Sequence, residues 1–464
     1  DAVEQLAGVL PNIDGQSLRR RLRGEGKFGW VARELTPRQQ EMVHELGLPG
    51  FDIMQEPHRV YPAGHTASQV LGFVDVDNRG LAGIETWIDR SPLSLKVGDG
   101  KGDLAGQVVL SLDIGVQYAL RSELEDAMRR YRAKAAAGVV MDVHSGEVLG
   151  IASLPDYDPN RREQAIDKNR MNRMTSGVYE LGSVFKVLTV AGALDSGAAT
   201  LDKTYDATQP IQVSSFTIND FHAKKRVLTV PEVFIYSSNI GSAKMAMDMG
   251  AERHKAFLAR MGLLKPIRTE IGETASPIVP QNWRSLNSMT TAFGHGVSVT
   301  PLQFTAAAAA LVNGGFMVEP TFLKRSRGEA RLRAERVVSQ RTSDQVRYLM
   351  RLNVTNGSGR RAEAEGYRVG GKTGTAEKVV NGRYSKSARL NSFLATFPVD
   401  APEYVVFVML DEPQAVEETG GEATAGLNAA PTVRRIIERS APLLGVLPEN
   451  RRKTVFDEPV TASY

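Results

Sequence analysis

The sequence contains no cysteine among its 464 residues. Disulfide frameworks, thiolate nucleophiles and cysteine-ligated zinc sites are therefore excluded. The seven histidines show no H-E-x-x-H spacing and no other clustering, so no metal-binding pattern is present in the sequence. We therefore expect a protein that works without a metal ion or another cofactor.

Long apolar runs are also missing. No stretch approaches the ~18 consecutive apolar residues that indicate a membrane-spanning helix. The longest candidate, FTAAAAALV at 304–312, is far shorter and is predicted to be a buried core helix. The sequence starts at Asp1, without an initiator methionine or a signal peptide, so an anchor upstream of it stays open.

Neither sign of charge dominates the chain. The formal net charge is +4 and the isoelectric point is about 9.1, which suits an anionic polymer or a lipid surface. No run of lysine and arginine is interleaved with aromatic residues, so we expect no nucleic-acid partner. The short run at 19–21 is predicted to be a solvated helix face.

The first part of the chain, to about residue 105, is rich in glycine and arginine. Within it, 35–50 is predicted to form a helix that starts near Pro37 and ends at Gly47. The polar, glycine-rich stretch at 96–106 is a candidate hairpin or domain boundary.

The remaining pattern predicts one antiparallel sheet covered by helices, an α/β fold of the α+β type. A long amphipathic helix with Asp113 as its N-cap is predicted at 112–133, and a hairpin at 137–153. Helices dominate from 183 to about 355, including one at 300–315 that begins with Thr300 and a proline.

Three strands and a last helix complete this pattern after residue 366. The strands are predicted within YRVGGKTGTAEKVV, LNSFLATFPV and EYVVFVMLDE, and the helix at 430–439. Because the hairpin and these strands flank the helical part, all of them are expected to join one sheet.

The stretch GYRVGGKTGT at 366–375 has two incompatible interpretations. It fits the phosphate-binding pattern G-x-x-x-x-G-K-[ST], and it also contains K-T-G at 372–374, a motif of serine enzymes that react with β-lactams. A phosphate site needs an apolar strand before the glycines and a helix at the lysine. Here a polar segment precedes, and Gly374 directly follows Thr373. The context favours the serine enzyme.

The serine-enzyme interpretation requires two more motifs upstream, and both are present in the right order. GSVFK at 182–186 supplies S-x-x-K with Ser183 and Lys186, and YSSN at 236–239 supplies S-x-N with Ser237 and Asn239. Alone, Ser183 would be interpreted as a plain N-cap and Lys186 as a solvated side chain. The ordered set of three motifs is far more specific than any one of them.

The predicted local structure fits acyl-transfer chemistry. Ser183 lies in the first turn of a helix, where Lys186 shares its face and the helix N-terminus adds partial positive charge. Ser237 and Asn239 lie at a break between two helices, the first of which begins with a capping box at 229–232. The segment 372–375 is predicted to be an edge strand on which an extended peptide can lie.

With these motifs, the chain resembles the class B penicillin-binding proteins along nearly its whole length. RVYPAGHTASQVLGF at 59–73 with GLAGIE at 80–85 resembles their N-terminal pedestal, and FGHGVSVTPLQ at 293–303 also matches. The resemblance implies a pedestal or dimerisation-like domain at 1–105, a transpeptidase domain at 106–446 and a tail at 447–464. The chain departs from the family at Leu181, where proline is common.

The resemblance implies a role for each motif residue. Ser183 attacks the carbonyl between the two terminal D-alanines of a peptidoglycan stem peptide, and Lys186 is the base. Burial and a nearby positive lysine are expected to lower the pKa of Lys186. Ser237 and Asn239 relay protons and bind the peptide amide.

The K-T-G strand is implied to bind the substrate. Lys372, Thr373, Gly374 and Thr375 form this part of the site, in which Lys372 and the two threonine hydroxyls receive the substrate's terminal carboxylate. The backbone N–H groups of Ser183 and Thr375 hold the oxyanion.

The resemblance also implies partners and a location. Stem peptides are the substrates, β-lactams are covalent inhibitors, and residues 1–105 contact a membrane glycosyltransferase and other division proteins. The site faces the periplasm at the bacterial inner membrane. Two alternatives stay open: a hydrolase of the same fold, either a β-lactamase or a D,D-carboxypeptidase, and a β-lactam sensor or scaffold that acylates without turnover.

Overall fold

The computed structural model has a central antiparallel sheet with helices packed on both faces. It describes residues 2–10, 13–23, 28–91, 107–213, 216–380 and 382–449. The strands in these ranges are β1 (Ala135–Asp142), β2 (Val148–Leu154), β3 (Thr204–Asp206), β4 (Ile211–Val213), β5 (Phe216–Ile218), β6 (Val227–Thr229), β7 (Phe316–Met317), β8 (Glu335–Arg336), β9 (Gly370–Val380), β10 (Arg383–Phe397) and β11 (Tyr404–Asp411).

Helices occupy most of the chain between the first hairpin and the last three long strands. The α-helices of the described ranges are α1 (Ala2–Val9), α2 (Gly15–Leu22), α3 (Pro37–Glu45), α4 (Ser68–Leu71), α5 (Gly83–Arg90), α6 (Ile114–Arg130), α7 (Lys186–Asp195), α8 (Val230–Ile235), α9 (Asn239–Met249), α10 (Ala251–Arg260), α11 (Ser285–Thr291), α12 (Pro301–Val312), α13 (Arg327–Arg333), α14 (Gln340–Asn356) and α15 (Ala429–Ser440).

The central sheet has five strands in the order β2-β1-β11-β10-β9, and all its pairs are antiparallel. Val139 of β1 lies opposite Phe407 of β11, and Thr375 of β9 lies opposite Asn391 of β10. β9 is therefore an edge strand, as the sequence predicts. The predicted fold class, an antiparallel sheet covered by helices, is confirmed.

Alternate residues of β1 enter two different hydrophobic cores, because successive side chains of a strand point to opposite faces. Val139 and Met141 pack into the core that contains α7 and α12. Ala136 and Val140 pack into the other core, with α6 and α15. Every residue of α12 is buried, which confirms the prediction of a buried core helix at 304–312.

Local capping signals place several helices correctly. The Asp113 side chain accepts a hydrogen bond from the Val116 backbone at 2.9 Å and begins α6. Thr300 caps α12 with Pro301 in its first turn, and α3 begins at Pro37, as predicted. The three-residue hairpin strands β4 and β5 were not predicted, since so few residues show no usable periodicity.

The first ninety residues contain two parts that pack differently. Val3, Leu6, Leu10 and Leu18 form a small core of their own. Farther along, Ala67, Val70 and Ile84 instead belong to the same core as α7 and α12. The domain boundary at 105 stays a prediction, because the candidate boundary segment at 96–106 lies outside the described residues, as does most of the tail at 447–464.

Polar contacts fix the second of these parts to the transpeptidase-like region. Tyr61 and Asn160 exchange two hydrogen bonds, the Tyr61 N–H to the Asn160 amide oxygen at 3.0 Å and the Asn160 amide to the Tyr61 carbonyl at 2.9 Å. The Gly83 N–H donates to Glu273 at 2.9 Å.

Within the described residues, no helix combines the length and the apolar character needed to cross a bilayer.

His254 of α10 is buried against Trp283, and neither ring nitrogen has a hydrogen-bond partner. Burial lowers the pKa of His254 to about 4, from an ordinary value of 6.5. The folded state therefore binds a proton less readily than the unfolded state. The contribution of neutral His254 to the free energy of unfolding is full above pH ~6.5. It is lost as the pH falls toward ~4.

We expect His254→Leu to reduce the pH dependence of folding, because leucine fills a similar volume and does not titrate. The wild-type free energy of unfolding should fall by about 2 kcal/mol more than that of the variant between pH 7 and pH 5. Urea unfolding at both pH values measures this difference. The exposed His222→Asn variant is the control and should behave like the wild type. If the free energy of unfolding of His254→Leu depends on pH as strongly as that of the wild type, the lowered pKa of His254 is not the cause of the dependence.

Candidate active site

Ser183 lies in a short 3₁₀ turn, Gly182–Phe185, that leads directly into α7. Gly182 has a φ of 62°, a region that glycine adopts without steric cost, and a Cβ on Gly294 would lie 2.1 Å from the Gly182 carbonyl oxygen. The sequence predicts a plain α-helical first turn here. The structure has a tighter turn instead, and the 293–296 segment packs against its backbone. Leu181, at the position where the family commonly has proline, is fully buried.

Lys186 is completely buried one turn after Ser183. Its Nζ lies 3.1 Å from the Ser183 Oγ, 3.1 Å from the Ser237 Oγ and 2.7 Å from the Asn239 Oδ1. The S-x-x-K and S-x-N motifs therefore meet at the Lys186 Nζ. The two residues in contact, Lys186 and Ser237, are 51 residues apart in the sequence. This geometry allows Lys186 to receive the proton of the Ser183 hydroxyl.

The pKa of Lys186 lies well below its ordinary value. Burial is the main cause, because the charged form loses its hydration, and the positive charge of Lys372 lowers the pKa further. The carboxylate of Asp220 opposes both effects. The two causes expected from the sequence are therefore both present, and burial is the larger of them.

The S-x-N motif forms the break between α8 and α9, as predicted. Ser237 has a φ of 57°, which is uncommon for a residue with a side chain and is typical of functional sites. Ser238, the middle residue, caps α9, and its hydroxyl donates to Asp220 at 2.7 Å. Asp220 thereby connects the motif to the segment that follows the β4–β5 hairpin.

Lys372 lies in β9 and is also completely buried. Its Nζ is 3.0 Å from the Ser237 Oγ, so Ser237 stands between Lys372 and Lys186. Burial lowers the pKa of Lys372 to about 7. Because 370–380 is a strand, Lys372 is not at the N-terminus of a helix, where a nucleotide phosphate would bind.

The other residues of the K-T-G segment shape the edge of β9. Thr373 shares a hydrogen bond of 2.6 Å with the hydroxyl of Ser358. A Cβ on Gly374 would lie 2.8 Å from the Leu181 carbonyl oxygen, so glycine permits the close approach of β9 to the nucleophile turn. The Thr375 hydroxyl accepts a hydrogen bond from the Ala425 backbone at 3.3 Å.

The structure thus brings the three predicted motifs together where the nucleophile turn and the α8–α9 break meet the edge strand β9. The sequence analysis missed Asp220, Ser358, Glu180 and Tyr384. Asp220 and Ser358 bind hydroxyls of the S-x-N and K-T-G motifs, and Glu180 and Tyr384 bind each other beside the nucleophile turn. The polar residues of the 219–220 loop and of NGSG at 356–359 were the available signals. No spacing rule links either of them to a motif.

The comparisons with known proteins decide the family. Residues 136–438 match the family model of the penicillin-binding protein transpeptidase domain. The chain belongs to this family. It is 41% identical to a probable peptidoglycan D,D-transpeptidase FtsI from Caulobacter vibrioides, in an alignment that covers 99% of this chain and 78% of the relative. The resemblance to the class B penicillin-binding proteins is confirmed.

Other relatives agree with this assignment. A probable peptidoglycan D,D-transpeptidase PenA from Neisseria meningitidis is 32% identical, with 95% of this chain and 78% of the relative covered. The crystal structure of penicillin-binding protein 3 from Mycobacterium tuberculosis in complex with ampicillin is similar, with a TM-score of 0.75 and 27% identity. That alignment covers 85% of this chain and 91% of the other.

Proposed function

We propose that the chain is a peptidoglycan D,D-transpeptidase that cross-links stem peptides through a serine acyl-enzyme during septal wall synthesis. The observation that carries this proposal is the position of the buried Lys186 Nζ, 3.1 Å from the Ser183 Oγ, with its pKa well below the ordinary value. A neutral amine at this distance from a hydroxyl is a general base for an acyl transfer. The family and the relatives' activity support the same reaction.

In the first step, the Ser183 oxygen attacks the carbonyl between the two terminal D-alanines. The Ser183 proton passes to Lys186, and the backbone N–H groups of Ser183 and Thr375 stabilise the oxyanion. The C–N bond then breaks, and the leaving D-alanine amine takes a proton through Ser237, which contacts both lysines. The substrate's terminal carboxylate binds to Lys372 and to the hydroxyls on the edge of β9.

In the second step, an amine of another strand attacks the acyl carbon of the ester. A new amide bond forms, the ester bond to the Ser183 Oγ breaks, and an amine proton returns to that oxygen through Lys186. Asn239 contacts Lys186 at 2.7 Å and also binds the peptide amide of the donor. No cofactor is needed, because every proton goes to a group already in the site.

Turnover distinguishes this function from its alternatives. The chain is incubated with a donor stem peptide and an amine-bearing acceptor, and the products are separated by mass. We expect a cross-linked peptide to be the main product. Free tetrapeptide as the main product would favour a D,D-carboxypeptidase, rapid release of hydrolysed penicillin would favour a β-lactamase, and a stable acyl-enzyme without peptide product would favour a sensor.

We also propose that residues 1–105 dock a membrane glycosyltransferase and other division proteins at the periplasmic face of the inner membrane. The motivating observation is a group of exposed apolar side chains in this region. Phe28 is 68% and Met54 is 56% exposed, and Phe28 packs edge-on against Trp30. Exposed aromatic and methionine side chains of this kind are enriched at protein interfaces.

Phe28→Asp and Met54→Asp test this docking surface. Both variants should leave the penicillin acylation rate within about twofold of the wild type, because they lie outside the catalytic cleft, and should weaken copurification with the glycosyltransferase at least about tenfold. Leu332→Asp is a matched control, since Leu332 is 89% exposed on α13. Unchanged copurification in both variants would refute this surface.

A further inference from the structure

Beside the nucleophile turn lies a polar cluster that the mechanism above does not use. Glu180, three residues before Ser183, accepts hydrogen bonds from the Gly296 N–H at 2.7 Å and from the Tyr384 hydroxyl at 3.0 Å. His295 packs edge-on against the Tyr384 ring. Three separate segments of the chain thus converge next to the catalytic serine.

The backbone connects this cluster firmly to the turn that carries Ser183. The Gly182 N–H donates to the Gly294 carbonyl at 3.2 Å. His295 is close enough to Glu180 and to Lys186 for both charges to affect its pKa. The Glu180 carboxylate therefore lies on the segment that packs against the nucleophile turn, with His295 between it and the charge of Lys186.

Among the described residues, no lysine or arginine forms an ion pair with Glu180. Glu377 of β9, whose charge also acts on His295 and Tyr384, instead lies opposite Arg389 of β10 in the sheet. Carboxylates elsewhere on the sheet are paired: Lys378 contacts Asp411 at 2.6 Å and Glu412 at 2.7 Å. Glu180 differs from these carboxylates, because its described partners are a backbone N–H and a tyrosine hydroxyl.

The two rings beside Glu180, His295 and Tyr384, do not supply a positive charge. Burial lowers the pKa of His295, so its imidazole is neutral near pH 7. Burial and the Glu180 charge raise the pKa of Tyr384, so its hydroxyl keeps its proton and donates it to the carboxylate. Since a carboxylate has about four acceptor positions, Glu180 retains the capacity to bind another donor.

We propose that Glu180, oriented by Tyr384, binds the amine of the acceptor strand and is a specificity-determining residue of the second step. This inference rests on the proposed transpeptidase function and names the chemistry of its acceptor side: a primary amine that arrives as an ammonium ion. The donor's terminal carboxylate binds at Lys372, and the negative charge of Glu180 disfavours a carboxylate at the other position.

The chemistry balances with the residues in place. The bound ammonium ion first releases one proton to water. The neutral nitrogen forms the amide bond with the acyl carbon, the bond between that carbon and the Ser183 Oγ breaks, and the second proton passes through Lys186 to the Ser183 oxygen. Glu180 remains ionised throughout and changes neither its proton nor its covalent bonds. Its contribution is to concentrate and orient the amine.

The test separates acyl-enzyme formation from transfer. The donor is a D-alanyl thioester with a neutral side chain, and the acceptor is a stem tetrapeptide with a free side-chain amine. Thiol release without acceptor gives the acylation rate, and the ratio of aminolysis to hydrolysis at increasing acceptor concentration gives the transfer step. For Glu180→Gln, which keeps an oxygen for Gly296 and Tyr384, we expect acylation within about twofold of the wild type.

In the same variant, the aminolysis-to-hydrolysis ratio should fall about tenfold through a higher acceptor concentration for half-saturation, with little change at saturation. Glu180→Asp should restore part of the ratio, and Tyr384→Phe should lower it by a smaller factor. Glu41→Gln, an exposed position on α3, is the matched control and should match the wild type.

Each contrary outcome has a distinct meaning. An unchanged ratio in Glu180→Gln overturns the inference. If acylation by an amine-bearing donor falls while the ratio stays constant, the cluster binds the donor's amine, and the inference is wrong. If the wild type forms an acyl-enzyme that no amine accepts, the proposed transpeptidase function fails, and the inference fails with it.

Discussion

Lys186→Arg is expected to slow acylation by penicillin by a factor of ~10²–10⁴, the range that general base catalysis contributes. Guanidinium keeps its proton at every pH at which the protein is folded, so it cannot accept the proton of Ser183. The lysine can, because burial and the charge of Lys372 lower its pKa well below the ordinary value. The second-order acylation rate, measured from pH 5 to 9, checks this expectation.

The control for this variant is Lys203→Arg, which keeps the charge of a partly exposed lysine that pairs with Asp248. It should acylate like the wild type. Thermal unfolding of Lys186→Arg must show a folded protein, because arginine is larger than the buried lysine it replaces. If the folded variant retains most of the acylation rate, Lys186 is not the base, and another group takes the Ser183 proton.

Lys372→Gln is expected to lower kcat/KM for a carboxylate-bearing donor by about 10–100-fold, because a charge-assisted contact is lost. The free-enzyme pKa of Lys372 is about 7, so the wild-type kcat/KM should decline as the pH rises above that value and Lys372 loses its charge. The variant should lack this decline. Its rising limb should move to higher pH, since Lys372 no longer lowers the pKa of Lys186.

Lys378→Gln provides a comparison on the same strand. Lys378 forms ion pairs with Asp411 and Glu412 and does not contact Ser237. It should keep both limbs of the wild-type profile, although it removes one positive charge. A high-pH decline that persists unchanged in Lys372→Gln would show that Lys372 does not bind the donor carboxylate.

Much of the fold was predictable because its signals are local. Thr229 and Glu232 form the predicted capping box at the start of α8, and Thr300 with Pro301 begins α12. Each capping side chain lies within a few residues of the backbone N–H group to which it binds. The local sequence therefore contains both partners of the hydrogen bond. The edge position of β9 was predicted together with its role as a backbone on which an extended peptide can lie.

The motif residues were predictable for a different reason. Ser183 and Lys186 are related by helical spacing, but the contact of Lys186 with Ser237 crosses 51 residues of chain, and that of Lys372 with Ser237 crosses 135. Only the order of the three motifs connected these segments, through the resemblance to a family. Periodicity alone predicts the helices and strands. It does not show that Lys186 and Lys372 contact the same serine.

The remaining features depend on tertiary packing that leaves no local pattern. Asp220 binds Ser238 across 18 residues that include β6 and α8, and Glu180 binds Tyr384 across 204 residues. The 3₁₀ turn at Gly182 packs against the distant 293–296 segment. The neutral state of His254 follows from its burial, which a histidine in an amphipathic helix does not reveal.

The central claim is that Ser183 is the nucleophile of an acyl-enzyme. Intact mass spectrometry after incubation with a penicillin, followed by peptide mapping, tests it most directly. The wild-type chain should gain the mass of one penicillin, on the peptide that contains Ser183, and the folded Ser183→Ala variant should gain none. An adduct on another residue, or an adduct that persists in Ser183→Ala, would contradict the account.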